Sequence, residues 1–341
     1  MVRFTPPRQP AIASRVPLEA IVIVVIVLLT SVVVLLTGRL GHVARLQRER
    51  TRSRALMTGV PAPATDPALL SYREMSAWSC TLHDPRGIAI GPGAAIYVAG
   101  DRVVVRLARD QAPTTVAVLA SSPTCLAVLP DGALAVGCGD HLEIWRARQL
   151  VARGARQHSR SYLTALAVHG ETLWAADAGA RVIWRYTRAG RCLGMLARQD
   201  AVRRMLVVPS PHLDIVAGAD GSLWVANPGE HRLEQYAADG RLLRQWSKGL
   251  LGNDGFAGCC NPADIAMLPD GNLVTSEKGL PRVKEYRTDG SLVGFVAGPE
   301  AFPGSTAAHD IAVDASGQVY ILDAAAQTVR VFRRKAQAHH E

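Results

Sequence analysis

From about Ser71 onward the chain alternates short apolar runs with turn signals such as DG, SG and PG, and little of it has helical period. Alternation at period two, broken every few residues by glycine-containing turns, predicts β-strands joined by tight hairpins. One pattern recurs six times: a short apolar strand, a turn, a second strand ending in a small or polar residue, and a third ending in an aromatic or apolar residue. The copies begin Gly87–Gly100, Cys125–Cys138, Ala165–Asp177, Asp214–Asn227, Asp264–Glu277 and Asp310–Asp323. Their spacing, about 38 to 50 residues, is that of a four-stranded propeller blade. Third strands follow as RVVVRL, HLEIWRA, RVIWRY, HRLEQY, PRVKEY and TVRVF, and fourth strands follow most of them, as in GRLLRQW and GSLVGFVA.

After Phe332 only RRKAQAHHE remains, too short and too polar for a fourth strand in the sixth blade. The missing strand must come from elsewhere. Met75–Leu82, just ahead of the first copy, has the length and character to supply it, and would remove two open sheet edges by closing the ring. The predicted fold is therefore all-β, a six-bladed β-propeller spanning residues 71–335, with a short tail at 336–341.

The N-terminal part reads differently. From Ala20 to Gly38 no side chain is charged and nearly every residue is β-branched or leucine. As a helix this run is about 28 Å long at ~1.5 Å per residue, enough to cross the hydrocarbon of a bilayer. It is longer than the apolar core of a signal peptide, and no small-x-small cleavage motif follows directly. The expectation is a tail at residues 1–19, one transmembrane helix at 20–38, and a basic stalk and proline-broken linker at 39–70.

Charge now changes the picture. The formal net charge is +9, but residues 1–54 hold Arg3, Arg8, Arg15, Arg39, Arg45, Arg48, Arg50, Arg52 and Arg54 against only Glu19 and Glu49. The propeller region is close to neutral, so no nucleic-acid partner is expected, and the arginines suit lipid head groups. More of them follow the span than precede it, which by the positive-inside rule leaves the propeller in the cytoplasm. Single-span anchors carrying propellers are commonly exported, and the cysteines are compatible with an oxidising compartment. The expected location is a single-pass membrane protein with its propeller in the periplasm or another extracytoplasmic space.

The copy His309–Phe332, HDIAVDASGQVYILDAAAQTVRVF, resembles the repeat of the NHL propellers, whose unit runs GIAVD..GNVYVAD....RI.VF; the six copies carry the resemblance over residues 71 to 335. Gly258–Tyr286, with its GCCNP and TSEKG motifs, is similar to a bacterial subgroup of that family. The resemblance implies the six-bladed fold. It implies little about activity, because such propellers include interaction modules, lyases, lactonases and redox-associated periplasmic proteins.

Chemistry is expected where the first strand of each repeat begins and the second ends, positions that should ring the channel mouth. In the last three repeats these are Asp214 and Asn227, Asp264 and Glu277, and Asp310 and Asp323, with His212, His309, Lys278, Cys259 and Cys260 in the adjoining loops. Asp214, Asp264, Asp310, Glu277 and His309 could hold a divalent cation, calcium or zinc. Alternatively, aspartates there accept backbone N–H bonds from their own or the next blade. In the amidating-lyase propellers a histidine just before the inner strand holds zinc; only His309 stands in that register here, so a three-histidine site is not expected.

The adjacent pair Cys259 and Cys260 is the most unusual local feature. The two thiols could close a strained, easily reduced ring, pair elsewhere or bind a soft metal. Repeats two and five lie opposite in a six-membered ring, so Cys125 and Cys138 could face that pair across the channel; the simpler alternative is a loop disulfide with Cys125 and Cys138 as small buried residues. The six tryptophans recur at strand positions and read as packing between blades. No CxxCH, CxxC, Walker loop, GxSxG or HExxH motif occurs. The leading expectation is a non-enzymatic binding or scaffolding module with a protein partner, serving an extracytoplasmic redox or metal-handling system. The other is a metal-dependent lyase or lactonase with its ion at the channel mouth.

Overall fold

The computed structural model describes residues 65–196, 206–249, 252–258 and 260–336. The expected transmembrane helix, most of the stalk, Cys259 and nearly all of the C-terminal tail lie outside them. Among the described residues no helix is long and apolar enough to cross a membrane.

Strand β1 (Tyr72–Ser79) belongs to the last sheet. Blade one then comprises β2 (Pro85–Gly91), β3 (Ala95–Gly100), β4 (Val103–Leu107) and β5 (Thr114–Val118), and blade two β6 (Cys125–Val128), β7 (Leu134–Cys138), β8 (His141–Arg146) and β9 (Gln149–Arg153). Blade three is β10 (Leu163–His169), β11 (Thr172–Asp177), β12 (Val182–Thr187) and β13 (Cys192–Met195). Blade four is β14 (Asp214–Ala217), β15 (Leu223–Asn227), β16 (Arg232–Tyr236) and β17 (Leu242–Ser247). Blade five runs β18 (Asp264–Met267), β19 (Leu273–Glu277), β20 (Arg282–Tyr286) and β21 (Leu292–Ala297). Blade six has β22 (Asp310–Val313), β23 (Val319–Asp323) and β24 (Thr328–Arg334), and β1 completes it. All pairings are antiparallel, and the innermost strands β2, β6, β10, β14, β18 and β22 touch in that order and back to β2, closing a six-bladed ring.

Between the first two strands of several blades, glycine takes the left-handed conformation that the turn demands, as at Gly132 (φ +81°) and Gly271 (φ +87°). The strands bury side chains on both faces, so the core is not one mass but layers between blades. Each apolar cluster draws on two neighbours: Ile311, Val319 and Val274 between blades five and six, for example, and Ile88, Ile96 and Leu322 between six and one. All six tryptophans lie in or against these layers, as their strand positions predicted.

Closure is as expected, three residues earlier than the sequence suggested. Tyr72 pairs with Arg334 and Ser79 with Thr328, and Arg330 forks onto the Glu74 carboxylate. Cys80 and Leu82 leave the sheet because they pack into the layer between blades six and one. The segment just ahead, residues 65–71, runs along the outer edge of blade five. Ser71 donates its N–H to the Phe295 carbonyl (3.0 Å), Leu70 bridges Phe295, and the Thr65 hydroxyl donates to Glu300 (3.1 Å). Among the described residues, the outer strands of blades one to four have no such cover. They expose apolar side chains, among them Val118 at 68% and Met195 at 58%, with Leu150, Val151 and Leu243.

Candidate functional site

The inner strands of blades two, four, five and six all open on a polar or polarisable residue at the same register: Cys125, Asp214, Asp264 and Asp310. Each aspartate reaches across an interface to the backbone of the next blade. Asp214 Oδ2 accepts from the Ile265 N–H (2.5 Å), Asp264 Oδ1 from Ile311 (3.2 Å) and Asp310 Oδ2 from Ile88 (2.7 Å). Thr164 continues the relay from blade three, donating its hydroxyl to the Leu213 carbonyl (2.7 Å).

The same three carboxylates also face one another. Asp264 and Asp310 are hydrogen-bonded side chain to side chain, which requires a proton between them, and Asp214 is an electrostatic neighbour of both. Burial, opposed first by the hydrogen bond with Asp264 and then by backbone bonds, pushes Asp310 up to about 6. Burial followed by mutual repulsion drives Asp264 well above the ordinary carboxylate range, and burial does the same to Asp214. Burial likewise raises the Cys125 thiol, which shares this end of the channel with Asp310 and Asp214.

The residues at the ends of the second strands do not join them. Asp264 pairs with Ser276, not Glu277, and Asp310 with Leu322, not Asp323. One step of register in a pleated strand turns the side chain to the opposite face, so Glu277 and Asp323 leave the side from which the channel aspartates project. Glu277 accepts from the Ala257 N–H (2.9 Å) and forms buried ion pairs with Arg282 (2.7 Å) and Lys284 (2.5 Å). Asn227 and Asp177 similarly accept backbone N–H groups of Val207 and of Tyr162 and Ala180, loop residues of their own blades.

His309 is buried in the layer between blades five and six, stacked 4.1 Å from Phe302, with Nδ1 3.2 Å from the Leu322 carbonyl. Its charged neighbours are Asp323 and Arg330 rather than the channel carboxylates, and burial lowers its basicity. Burial and the nearby Lys278 ammonium bring His212 down to about 4. In the GCCNP loop, Cys260 is buried and Asn261 is a bracket: its amide donates to the Ala257 and Lys278 carbonyls and its Oδ1 accepts from the Lys278 N–H. The Asn261–Pro262 peptide is cis. Cys125 and Cys138 are unbridged thiols on adjacent strands of blade two.

One constellation was not foreseen as such. Cys138 stands with His141 and Glu143, their donor atoms within 4.8 Å of one another. His141 and Glu143 belong to HLEIWRA, which reads simply as a third strand; the signal available was the spacing C-x2-H-x-E across a tight hairpin.

No protein-family model matches the chain, and no curated protein matches it in sequence. Solved structures match it in fold. A streptogramin B lyase is similar at a TM-score of 0.56 and 13% identity, over 79% of this chain and all of that one. A protein of unknown function from Bacteroides thetaiotaomicron has a TM-score of 0.57 and 16% identity over 80% of this chain and 74% of its own. The WD40 propeller domain of Doa1 has a TM-score of 0.53 at 14% identity, over 77% of this chain and 97% of its own. At such identities the likeness shows the β-propeller fold, shared here by lyases and a WD40 domain alike.

Proposed function

We propose that the chain is an NHL-type binding module, tethered to a membrane by residues 20–38, whose propeller docks a protein partner and performs no catalysis. The observation that carries this reading is the occupation of the channel-end acids. Asp214, Asp264 and Asp310 each accept a backbone hydrogen bond from the next blade, and Glu277 is matched by two buried cations, so the groups a reaction would need are engaged in the framework. The exposed apolar rim of blades one to four supports a docking role, because among the described residues blade five's edge is covered by the incoming chain and theirs are not. The arginine-flanked apolar run supports the tether, and the repeat His309–Phe332 supports the NHL assignment.

The test is photo-crosslinking in intact cells from a benzophenone side chain at Val118, Leu150 or Met195. The reading expects one recurrent adduct from these positions and little from Arg73, exposed on the outer strand of blade six. Equal yields at Arg73, or none anywhere, would count against it. A reporter fused to the C-terminus gives the side of the membrane, expected to be extracytoplasmic. A second reading, a metal-dependent lyase or lactonase, is favoured by one observation, the convergence of Asp214, Asp264 and Asp310 at the channel end. It requires a hard cation at those carboxylates.

A further inference from the structure

The hairpin between β7 and β8 gathers three different donor atoms on one face of blade two. Cys138 and His141 pair across the turn, so their side chains leave the same face, and Glu143, two residues further along β8, follows His141 onto it. Gly139, at φ +67°, supplies the left-handed residue that so short a connection needs. The face is turned toward blade one, where Cys138 and Trp145 pack with Ala117 and Leu119. Ser121, on the connection from blade one, brings a buried hydroxyl beside the Cys138 sulfur, without a hydrogen bond of ordinary geometry.

The bonds around the imidazole give this cluster its meaning. Nδ1 of His141 stands 2.9 Å from Asp140 Oδ1, and Nε2 stands 3.3 Å from Glu143 Oε1. A neutral ring has a single N–H, so it satisfies one of these oxygens and turns a lone pair toward the other. With the proton on Nδ1, facing the nearer carboxylate, Nε2 and Glu143 Oε1 are two acceptors face to face. A cation held between them resolves that arrangement. With a cation, Asp140 is the outer carboxylate that orients a metal-bound histidine. Trp145 holds Glu143 by its other oxygen (Nε1 to Oε2, 2.9 Å), while Oε1, turned to the ring, also accepts from Arg153 Nε (3.0 Å) and Nη2 (2.7 Å).

We infer that Cys138, His141 and Glu143 bind a divalent ion of the zinc class, with water completing the coordination. The inference goes beyond the binding-module reading and stands without it. Thiolate and imidazole donors select zinc over calcium or magnesium. Bonds of about 2.0–2.3 Å in a tetrahedron place donor atoms roughly 3.3–3.7 Å apart, so the three need close by only about 1 Å. Binding would displace Arg153, whose half-exposed side chain holds Glu143 Oε1 through Nε (3.0 Å) and Nη2 (2.7 Å). Cys138 would bind as a thiolate and release its proton to solvent as the ion enters.

The test titrates cobalt(II), as a coloured stand-in for zinc, into the chelator-stripped full chain in detergent. A thiolate-to-cobalt charge-transfer band is expected to saturate at one ion per chain and to be bleached by zinc. Cys138→Ser should abolish the band and Cys192→Ser should keep it. His141→Ala and Glu143→Gln should weaken binding at least about tenfold, and Asp140→Asn by roughly 10–100-fold. No uptake by the wild type would overturn the inference, as would a band that survives Cys138→Ser. Should Cys138→Ser fail to fold, undiminished affinity in His141→Ala would overturn it equally.

Discussion

Lys284 is wholly buried and shares the Glu277 carboxylate with a second cation, Arg282. Its ammonium reaches Glu277 and the carbonyls of Asn253 (3.3 Å) and Gly255 (2.6 Å), and stands 5.2 Å from the rings of Phe256 and Tyr286. Burial nevertheless brings the amine down to about 8, against the pull of Glu277. Removing the ammonium leaves Glu277 with Arg282 as its remaining cation, so Lys284→Met should destabilise the propeller by about 1–3 kcal/mol, less than for a pair left wholly uncompensated. The double variant Lys284→Met/Glu277→Gln should lose less than the two single losses added together; strict additivity in a double-mutant cycle of melting data would show that the contact contributes nothing. Glu277 illustrates what a sequence conceals at this scale. Its acidity and its place at the end of a strand are legible, but the one-residue register that separates it from Asp264 is set by hairpin pairing. The acid read as a channel residue is therefore the partner of Lys284.

At the scale of elements, the sixth sheet is shared between the two ends of the described chain. A protein beginning at residue 65 should melt cooperatively and remain monomeric. One beginning at residue 80 lacks β1, bares β24 and the side of Val331 and Phe332, and should associate or lose its cooperative transition. Calorimetry with size-exclusion chromatography separates these outcomes, and indistinguishable behaviour would mean that β1 does not hold the ring. This closure was legible because the mostly polar residues after Phe332 could not supply the strand that the last sheet lacked. The repeats were legible because their turns carry glycine where a positive φ is obligatory. The docking of residues 65–71 on blade five was not, since it rests on backbone bonds that leave no pattern in side chains. Nor was the Cys138–His141–Glu143 grouping, which arises only when the hairpin folds.

Across the whole molecule, the inner strands are linked by a relay from Thr164 through Asp214, Asp264 and Asp310 to Ile88, tying blades three, four, five, six and one. The relay has a pH dependence whose sign follows from the raised carboxyls. Above about pH 4 the folded ring holds protons that an unfolded chain has released, so stability is fully present below the ordinary aspartate value and falls as pH rises through about 6. One such group contributes a slope of at most about 1.4 kcal/mol per pH unit. Asparagine at 264 mimics the protonated side chain, accepting from Ile311 and donating to Asp310 without titrating.

The melting temperature of Asp264→Asn against wild type, at pH 4 and pH 8 with and without added calcium, therefore tests the account most directly. Acids that serve as ties between blades predict a variant that melts higher at pH 8, by about 2–4 °C for each kcal/mol gained, converges with wild type near pH 4, and ignores calcium as wild type does. A variant that melts lower at pH 8, together with a calcium-dependent rise seen in wild type alone, would mean that these carboxylates hold an ion and that the channel end is a reactive centre.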